Sequence, residues 1–207
     1  MNLTDFLGKH AGQPCAIYGK GPSLFNHDFS QDPHVRICVN DAAYVVPKPT
    51  YLMMHDPTSD AKALIDRAIA HNPDVILVLP SCSTIDGRTF GGIVDGRDVV
   101  WYVKRDQLSH DPVRHACAGT MWGGKGTGTT AVHFSHIIGC NRVKLVAFDG
   151  KMEPPQDYAC QFPATAPTLT ACAQKHGSNF MPAYSWHYSR IARIMDGLLA
   201  YFGQERI

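Results

Sequence analysis

Short apolar runs rich in β-branched residues recur through the first three quarters of this chain, and each run is bounded by turn residues. Runs of this length and composition are typical of parallel strands that are buried on both faces. The sequence predicts six of them: Pro14–Tyr18, Val35–Asn40, Thr50–His55, Asp74–Leu79, Val99–Lys104 and Arg142–Phe148.

Segments with helical periodicity lie between these runs. Ser59–Ala70 is the clearest, with apolar residues three to four apart, and a second runs from about Thr129 to Ile138. Strands that alternate with helices form a parallel sheet covered on both faces, with right-handed crossovers. We therefore expect a Rossmann-like, doubly wound α/β fold with a mainly parallel sheet, built as a single domain over residues 1–207.

The pattern changes after residue 150. Lys151–Trp186 is rich in proline and in scattered aromatic residues, so we expect a lid over residues 151–186 that packs over a site. A closing amphipathic helix is predicted over His187–Phe202. One face of that helix would carry Ile191, Ile194, Leu198 and either Tyr201 or Phe202.

Composition limits the classes of partner. The formal net charge is +1 and no long basic run occurs, which disfavours bulk nucleic-acid binding. No basic N-terminal segment precedes an apolar stretch, and no apolar window approaches the ~18 residues of a membrane span. The seven cysteines are scattered and odd in number, which favours reduced thiols. We expect a cytoplasmic protein that does not interact with membranes and has no Cys/His metal site.

Ligands of open α/β sheets bind beyond the carboxyl ends of the strands, so those ends hold the first candidates. The first strand is followed by the turn Gly19-Lys20-Gly21-Pro22-Ser23. Glycines allow close backbone approach, and turn N–H groups can face phosphate oxygens. The spacing fits neither the dinucleotide fingerprint nor the P-loop. A plain strand-to-helix turn is the alternative interpretation.

The ends of the second and third strands add Asn40 and Asp56. An amide and a carboxylate here are candidates to hold a base, a ribose or a metal ion. Both residue types also cap turns frequently, and that structural role remains equally open.

A second glycine-rich stretch, Gly123–Thr130, leads into the predicted second helix. Its N–H groups and hydroxyls would lie at the positive end of that helix, where an anion is stabilised, and Lys125 would add charge. A flexible surface connection is the alternative. The last predicted strand then delivers Asp149 to the same edge of the sheet.

His187 lies between the predicted lid and the closing helix. Histidine is well suited to proton transfer near neutral pH, so His187 is a candidate general base for an acceptor hydroxyl. Tyr184 and Tyr188 are alternatives, and a structural histidine is the plainer interpretation.

Together, the segments Gly19–Leu24, Val39–Asp41, His55–Thr58, Gly126–Thr129 and Phe148–Gly150 resemble the bacterial sialyltransferases of glycosyltransferase family 42. The wider group includes the MptE-like pyrophosphokinases. The resemblance implies a nucleotide-sugar donor, transfer to an acceptor hydroxyl without a metal cofactor, and a mobile lid. It assigns donor binding to Gly19, Gly21, Ser23, Asn40, Thr127, Gly128 and the lid residue Tyr158, and it assigns base catalysis to His187.

The chain departs from the sialyltransferase pattern at two places. Lys20 stands where that family has Asn between the glycines, and the Arg and Ser of the family's second loop are replaced by Lys125 and Gly128. The donor sugar and base are therefore open, and the acceptor is a small molecule, a glycan or a hydroxyl on a nucleic-acid base.

Two alternatives retain the fold. One is diphosphate transfer from ATP with Mg²⁺ held by Asp56 and Asp149. The other is a nucleotide-binding module without turnover. A homo-oligomer is compatible with all three interpretations.

Overall fold

A computed structural model describes residues 1–57, 61–85, 87–94, 96–123, 126–148, 191 and 193–207. The strands are β1 Pro14–Tyr18, β2 Val35–Val39, β3 Tyr51–Met53, β4 Ile76–Pro80, β5 Thr84–Ile85, β6 Arg88–Thr89, β7 Val99–Arg105, β8 Thr120–Trp122, β9 Arg142–Val146 and β10 Glu205–Arg206. The α-helices are α1 Ala61–His71, α2 Pro112–Cys117, α3 Thr127–Ile137 and α4, residues 193–201. Short 3₁₀ helices cover Leu3–Phe6, Pro22–Asn26, Phe29–Gln31 and Asn40–Tyr44.

Eight strands form one sheet in the order β10-β9-β1-β2-β3-β4-β7-β8, and every neighbouring pair is parallel. The predicted Rossmann-like α/β fold is confirmed. Each of the six predicted runs overlaps a strand of this sheet. The antiparallel β5–β6 pair forms a separate hairpin.

Alternate residues of the strands face two hydrophobic layers. One layer packs Ile17, Ile37 and Met53 against α3 and α4, through residues such as Phe134 and Leu198. The opposite layer packs the intervening strand residues against α1 and the 3₁₀ helix Asn40–Tyr44. Because helices cover both faces, the strands must be apolar throughout, which is the pattern that the sequence shows.

Three predicted strands end earlier than expected. β2 stops before Asn40 and β9 stops before Ala147 because both residues adopt left-handed backbone angles, with φ of 53° and 58°. β3 ends at Met53, so His55 lies just beyond it. β8 and β10 were not predicted, since runs of two or three residues carry no readable periodicity.

The helices follow the sequence closely. The predicted helix Ser59–Ala70 corresponds to Ala61–His71, and the predicted helix Thr129–Ile138 corresponds to Thr127–Ile137. In the described part of the closing helix, Ile191, Leu198 and Phe202 are buried and Tyr201 is exposed, so Phe202 completes the apolar face. The predicted lid, residues 151–186, lies outside the described residues.

Candidate functional site

The sheet reverses its direction of growth at β1. The chain adds β2, β3, β4, β7 and β8 on one side of β1, and then returns to place β9 on the other side. In open α/β sheets a crevice forms at the carboxyl ends of two such strands, because their connections leave toward opposite sides. The turn after β1 and the segment after β9 both lie at this position.

The glycines of the β1 turn allow these two segments to touch. A Cβ on Gly19 would lie 2.5 Å from the Ala147 carbonyl oxygen and 3.0 Å from the Phe148 ring. The Gly19 N–H donates to Val146 O over 2.8 Å, and the Gly21 N–H donates to Ala147 O over 2.9 Å. These two N–H groups are therefore bonded to protein, and close approach to β9 is what requires glycine at position 19.

The start of α3 packs against the same Phe148 ring. A Cβ on Gly128 would lie 2.8 Å from the Phe148 ring and 3.2 Å from the Met195 sulfur. Gly126 precedes the helix in an extended conformation, and Thr127 is buried in its first turn. The first N–H groups of a helix have no intrahelical acceptor. The predicted residues Gly19 and Gly128 are thus brought together around Phe148, and Thr127 precedes Gly128 in the first turn of α3.

Lys20 lies between the carboxyl ends of β1 and β2. Its ammonium group is 3.5 Å from the Asp41 carboxylate, which is nearly buried just after β2. This long ion pair links the turn after β1 to the turn after β2. The predicted cation is thus at the edge of the crevice, and Asp41 is a neighbour that the sequence did not identify.

Two residues at this edge adopt a backbone conformation that side chains rarely occupy. Asn40 follows β2 and Ala147 follows β9, both with left-handed angles. Such conformations cost about 1–3 kcal/mol each and concentrate at functional sites. Asn tolerates this region better than most residues, but nothing in the sequence distinguishes Ala147.

Ser23 lines a cavity of about 300 Å³ that is also lined by residues of β9. Ala147 and Phe148 lie on the same cavity, together with His27 and Lys144. The predicted Ser23 is therefore adjacent to the crevice and to two basic side chains.

Asp56 is exposed beyond the end of β3, at the same edge of the sheet. The other predicted site residues, Lys125, Asp149, Tyr158 and His187, lie outside the described residues. Within the part of the chain that the structure describes, no group of three or more His, Cys, Asp or Glu side chains is arranged to hold a metal ion.

Three residues that were not among the candidates also lie at this edge, namely His55, Tyr102 and Lys104. His55 follows β3, its carbonyl oxygen accepts a hydrogen bond from Lys104 Nζ over 3.3 Å, and its ring lies 6.4 Å from that of Tyr102. Burial, followed by the nearby Lys104 charge, lowers the pKa of His55 to about 3. The HDP sequence that contains Asp56 was the available signal for His55, whereas nothing local marks Tyr102.

Comparison with known proteins supports the fold. No protein-family model matches the chain, and no curated protein sequence matches it. Among solved structures, the MAf glycosyltransferase from Magnetospirillum magneticum AMB-1 is similar, with a TM-score of 0.50 and 18% sequence identity. The similarity covers 80% of this chain and 29% of that enzyme, so this chain spans less than a third of its length. None of the described helices has the length and apolar character needed to cross a bilayer.

Proposed function

We propose that this chain is a glycosyltransferase that binds a nucleotide-sugar donor in the crevice between β1 and β9. The observation that carries the proposal is the glycine packing around Phe148. Gly19 and Gly128 bring the β1 turn, the end of β9 and the start of α3 within van der Waals contact at the topological switch point. Ligands of doubly wound sheets bind at that position.

The residues around the crevice suit the parts of such a donor. The first turn of α3, at Thr127 and Gly128, offers N–H groups to the phosphates, and Lys20 and Ser23 supply a cation and a hydroxyl. Asn40 is placed to hydrogen-bond the base or the ribose. In this proposal Lys125 and Tyr158 also contact the donor phosphates.

The reaction would be a single displacement at the anomeric carbon. The acceptor oxygen forms a bond to that carbon, the bond to the donor phosphate oxygen breaks, and the nucleotide leaves with the electron pair. His187 takes the acceptor proton, and Asp149 is its proposed catalytic partner. One positioned base typically contributes about 10²–10⁴ in rate.

The likeness to the MAf enzyme is compatible with sugar transfer. The donor and the acceptor are proposed from the residues of this chain and not from that likeness. The acceptor would be a small molecule, a glycan or a hydroxyl on a nucleic-acid base. We place the protein in the cytoplasm, without membrane contact, and a homo-oligomer is compatible with this role. No metal cofactor is required in the proposed reaction.

The deciding experiment is a thermal-shift panel of CMP, CDP, UMP, UDP, GDP and ATP, each with and without Mg²⁺. A ligand that binds only the folded state raises the melting temperature. A shift that a nucleoside mono- or diphosphate produces without metal supports the proposal. A shift that requires both ATP and Mg²⁺ supports diphosphate transfer through Asp56 and Asp149. Tight binding without any product identifies a nucleotide-binding module.

Two glycine variants test whether the crevice is the binding site. Gly19→Ala forces a Cβ onto the Ala147 carbonyl and should remove the nucleotide shift, with a loss of about 1–3 kcal/mol in stability from overpacking. Gly197→Ala, in α4, meets no atom within 4 Å and should retain the full shift. Equal nucleotide shifts in both variants would locate the ligand elsewhere.

The catalytic role of His187 has its own test. His187→Ala should reduce turnover by at least 10² while leaving the nucleotide shift intact, because a general base acts on the acceptor. Loss of the shift together with turnover would make His187 a structural residue.

A further inference from the structure

His55 and Tyr102 form a buried polar pair at the carboxyl-end edge of the sheet, just after β3 and on β7, which are two and four strands away from β1. His55 is 6% exposed and Tyr102 is 1% exposed, and their rings are 6.4 Å apart. Tyr102 belongs to the hydrophobic layer on the α3 side of the sheet, as do Tyr51 and Met53 of β3. Tyr102 is paired with Pro80, the last residue of β4, and its ring neighbours that of His55, so both rings lie toward the carboxyl ends of the strands, the edge that also holds the proposed donor crevice.

Each side chain carries one buried polar atom for which the described residues provide no partner. His55 Nε2 and Tyr102 Oη are buried, and neither has a hydrogen-bond partner among the described residues. A buried polar atom without a partner costs about 1–3 kcal/mol, and such atoms are rare in folded proteins. Two of them at one ligand-binding edge indicate groups that are kept for a ligand.

The other buried histidines without a partner at Nε2 differ from this pair. His115 and His133 pack edge to face at 4.4 Å, His133 stacks on Phe202, and each histidine uses its Nδ1 in a hydrogen bond to a neighbour. They belong to the interior of a helical layer.

Lys104 is the movable neighbour of the pair. Its ammonium group is held by one long hydrogen bond to the His55 carbonyl, and its stem packs where Gly123 leaves room, since a Cβ there would lie 3.1 Å from Lys104 Cβ. Lys104 is half-buried. A flexible lysine in this position can move aside for a ligand at low cost.

The pair is electrically neutral near pH 7. Burial, with Lys104 adding to it, lowers the pKa of His55 to about 3. Burial, followed by the nearby Asp56 charge, raises the pKa of Tyr102. A neutral imidazole and a phenol each offer donor and acceptor capacity to an uncharged partner.

We infer that His55 Nε2 and Tyr102 Oη bind hydroxyl groups of the transferred sugar, and that Lys104 moves aside to admit them. This inference rests on the proposed glycosyl transfer and adds the specificity subsite of that reaction. A sugar hydroxyl both donates and accepts a hydrogen bond, so it complements the two groups, whereas the nucleotide would bind through the β1 turn and α3.

The test is calorimetric titration with matched probes: UDP against UDP-N-acetylglucosamine, GDP against GDP-mannose, and CMP against CMP-N-acetylneuraminate. For the pair that the wild type binds, Tyr102→Phe and His55→Leu should each weaken nucleotide-sugar binding about tenfold and leave binding of the free nucleotide unchanged. Tyr102→Phe should not lower the melting temperature, because it removes a hydroxyl that bonds to none of the described residues.

Tyr51→Phe is the matched control. Its hydroxyl lies on the same face of the sheet but is bonded to His10 Nε2 over 2.8 Å, so this variant should leave both affinities unchanged. The inference is overturned if the Tyr102 and His55 variants bind the nucleotide-sugar as tightly as wild type, or lose affinity for both probes alike. It is also overturned if wild type binds nucleotides but none of the nucleotide-sugars. A wild type that binds no probe overturns the proposed function itself.

Discussion

Two buried polar clusters lie on opposite faces of the sheet, and they differ in how fully their hydrogen bonds are made. On the α1 side, the carboxylate of Asp32 has no exposed surface and accepts from three neighbours. Tyr18 Oη donates over 2.7 Å and Lys144 Nζ over 2.6 Å, and His27 Nε2 lies at 2.7 Å. On the α3 side, His55 and Tyr102 have polar atoms without a partner in the described chain.

The difference separates a structural role from a binding role. Burial alone would raise the pKa of Asp32, but the bonds from Lys144, Tyr18 and His27 outweigh burial and lower it. Through Asp32, the segment between β1 and β2 is hydrogen-bonded to Tyr18 at the end of β1 and to Lys144 of β9. The cluster therefore stabilises the fold. The Tyr102 ring packs in the core, but His55 Nε2 and Tyr102 Oη make no hydrogen bond within the described part of the chain.

The largest expected effect is on Asp32. Asp32→Ala leaves Lys144 without its partner and Tyr18 without its acceptor, and breaking a buried ion pair in this way costs about 3–5 kcal/mol. Urea denaturation should show this loss in the free energy of unfolding. Asp66→Ala is the control, because Asp66 pairs with Lys62 and Arg97 at the surface and should cost less than about 1 kcal/mol. Equal costs would show that the Asp32 cluster is not a stabilising network.

The second largest expected effect is the loss of stability in acid, which begins at a different pH for the two clusters. The pKa values of His55 and His133 are lowered to about 3 by burial, so between roughly pH 6.5 and pH 3 the unfolded chain binds more protons than the folded one. Stability is therefore complete above pH 6.5 and falls as the pH falls through this window. The loss is about 1.4 kcal/mol per pH unit for each histidine, or about 2 kcal/mol each at pH 5.

Asp32 has the same sign but a lower window. Its folded pKa lies below the usual 3.8, so its contribution is complete above pH 3.8 and is lost only in stronger acid. Urea midpoints at pH 7.5, 6.5 and 5 measure the histidine effect. His55→Gln or His133→Gln should each flatten the change between pH 7.5 and pH 5 by about 2 kcal/mol. An unchanged slope would assign the acid sensitivity to other groups.

Most of the fold could be predicted from the sequence because its strands are buried on both faces. Continuous apolar runs such as Pro14–Tyr18 predict a parallel sheet, and apolar residues three to four apart in Ala61–His71 predict a helix. The ends of β2 and β9 could not be predicted, since they depend on the left-handed angles of Asn40 and Ala147. The short strand β8 owes its existence to pairing with β7, which is a tertiary contact.

The candidate site was predicted where the chemistry is local. Gly19 and Gly128 were identified from composition and from position after a strand or before a helix, and the structure adds the reason, which is the Phe148 ring between them. Sequence reasoning missed the neighbours Asp41, His55 and Tyr102 because only their tertiary surroundings mark them. Asp41 forms an ion pair with Lys20, whereas His55 Nε2 and Tyr102 Oη bond to none of the described residues. In each case the neighbouring strands are distant in sequence. The sequence has no way to show that Tyr102 Oη meets no partner among the described residues.

The smallest expected effect gives the most direct comparison of the two clusters, because one hydroxyl is removed from each. Tyr18→Phe deletes a donor to the buried Asp32 carboxylate and should lower the free energy of unfolding by about 1–3 kcal/mol. Tyr102→Phe deletes a hydroxyl without a partner in the part of the chain that the structure describes, and it should leave the free energy of unfolding unchanged or raise it by up to about 1 kcal/mol. Urea denaturation of both variants without ligand measures the difference. A loss of stability in Tyr102→Phe comparable to that in Tyr18→Phe would mean that the Tyr102 hydroxyl has a structural partner, and the pair would lose its assignment to a ligand.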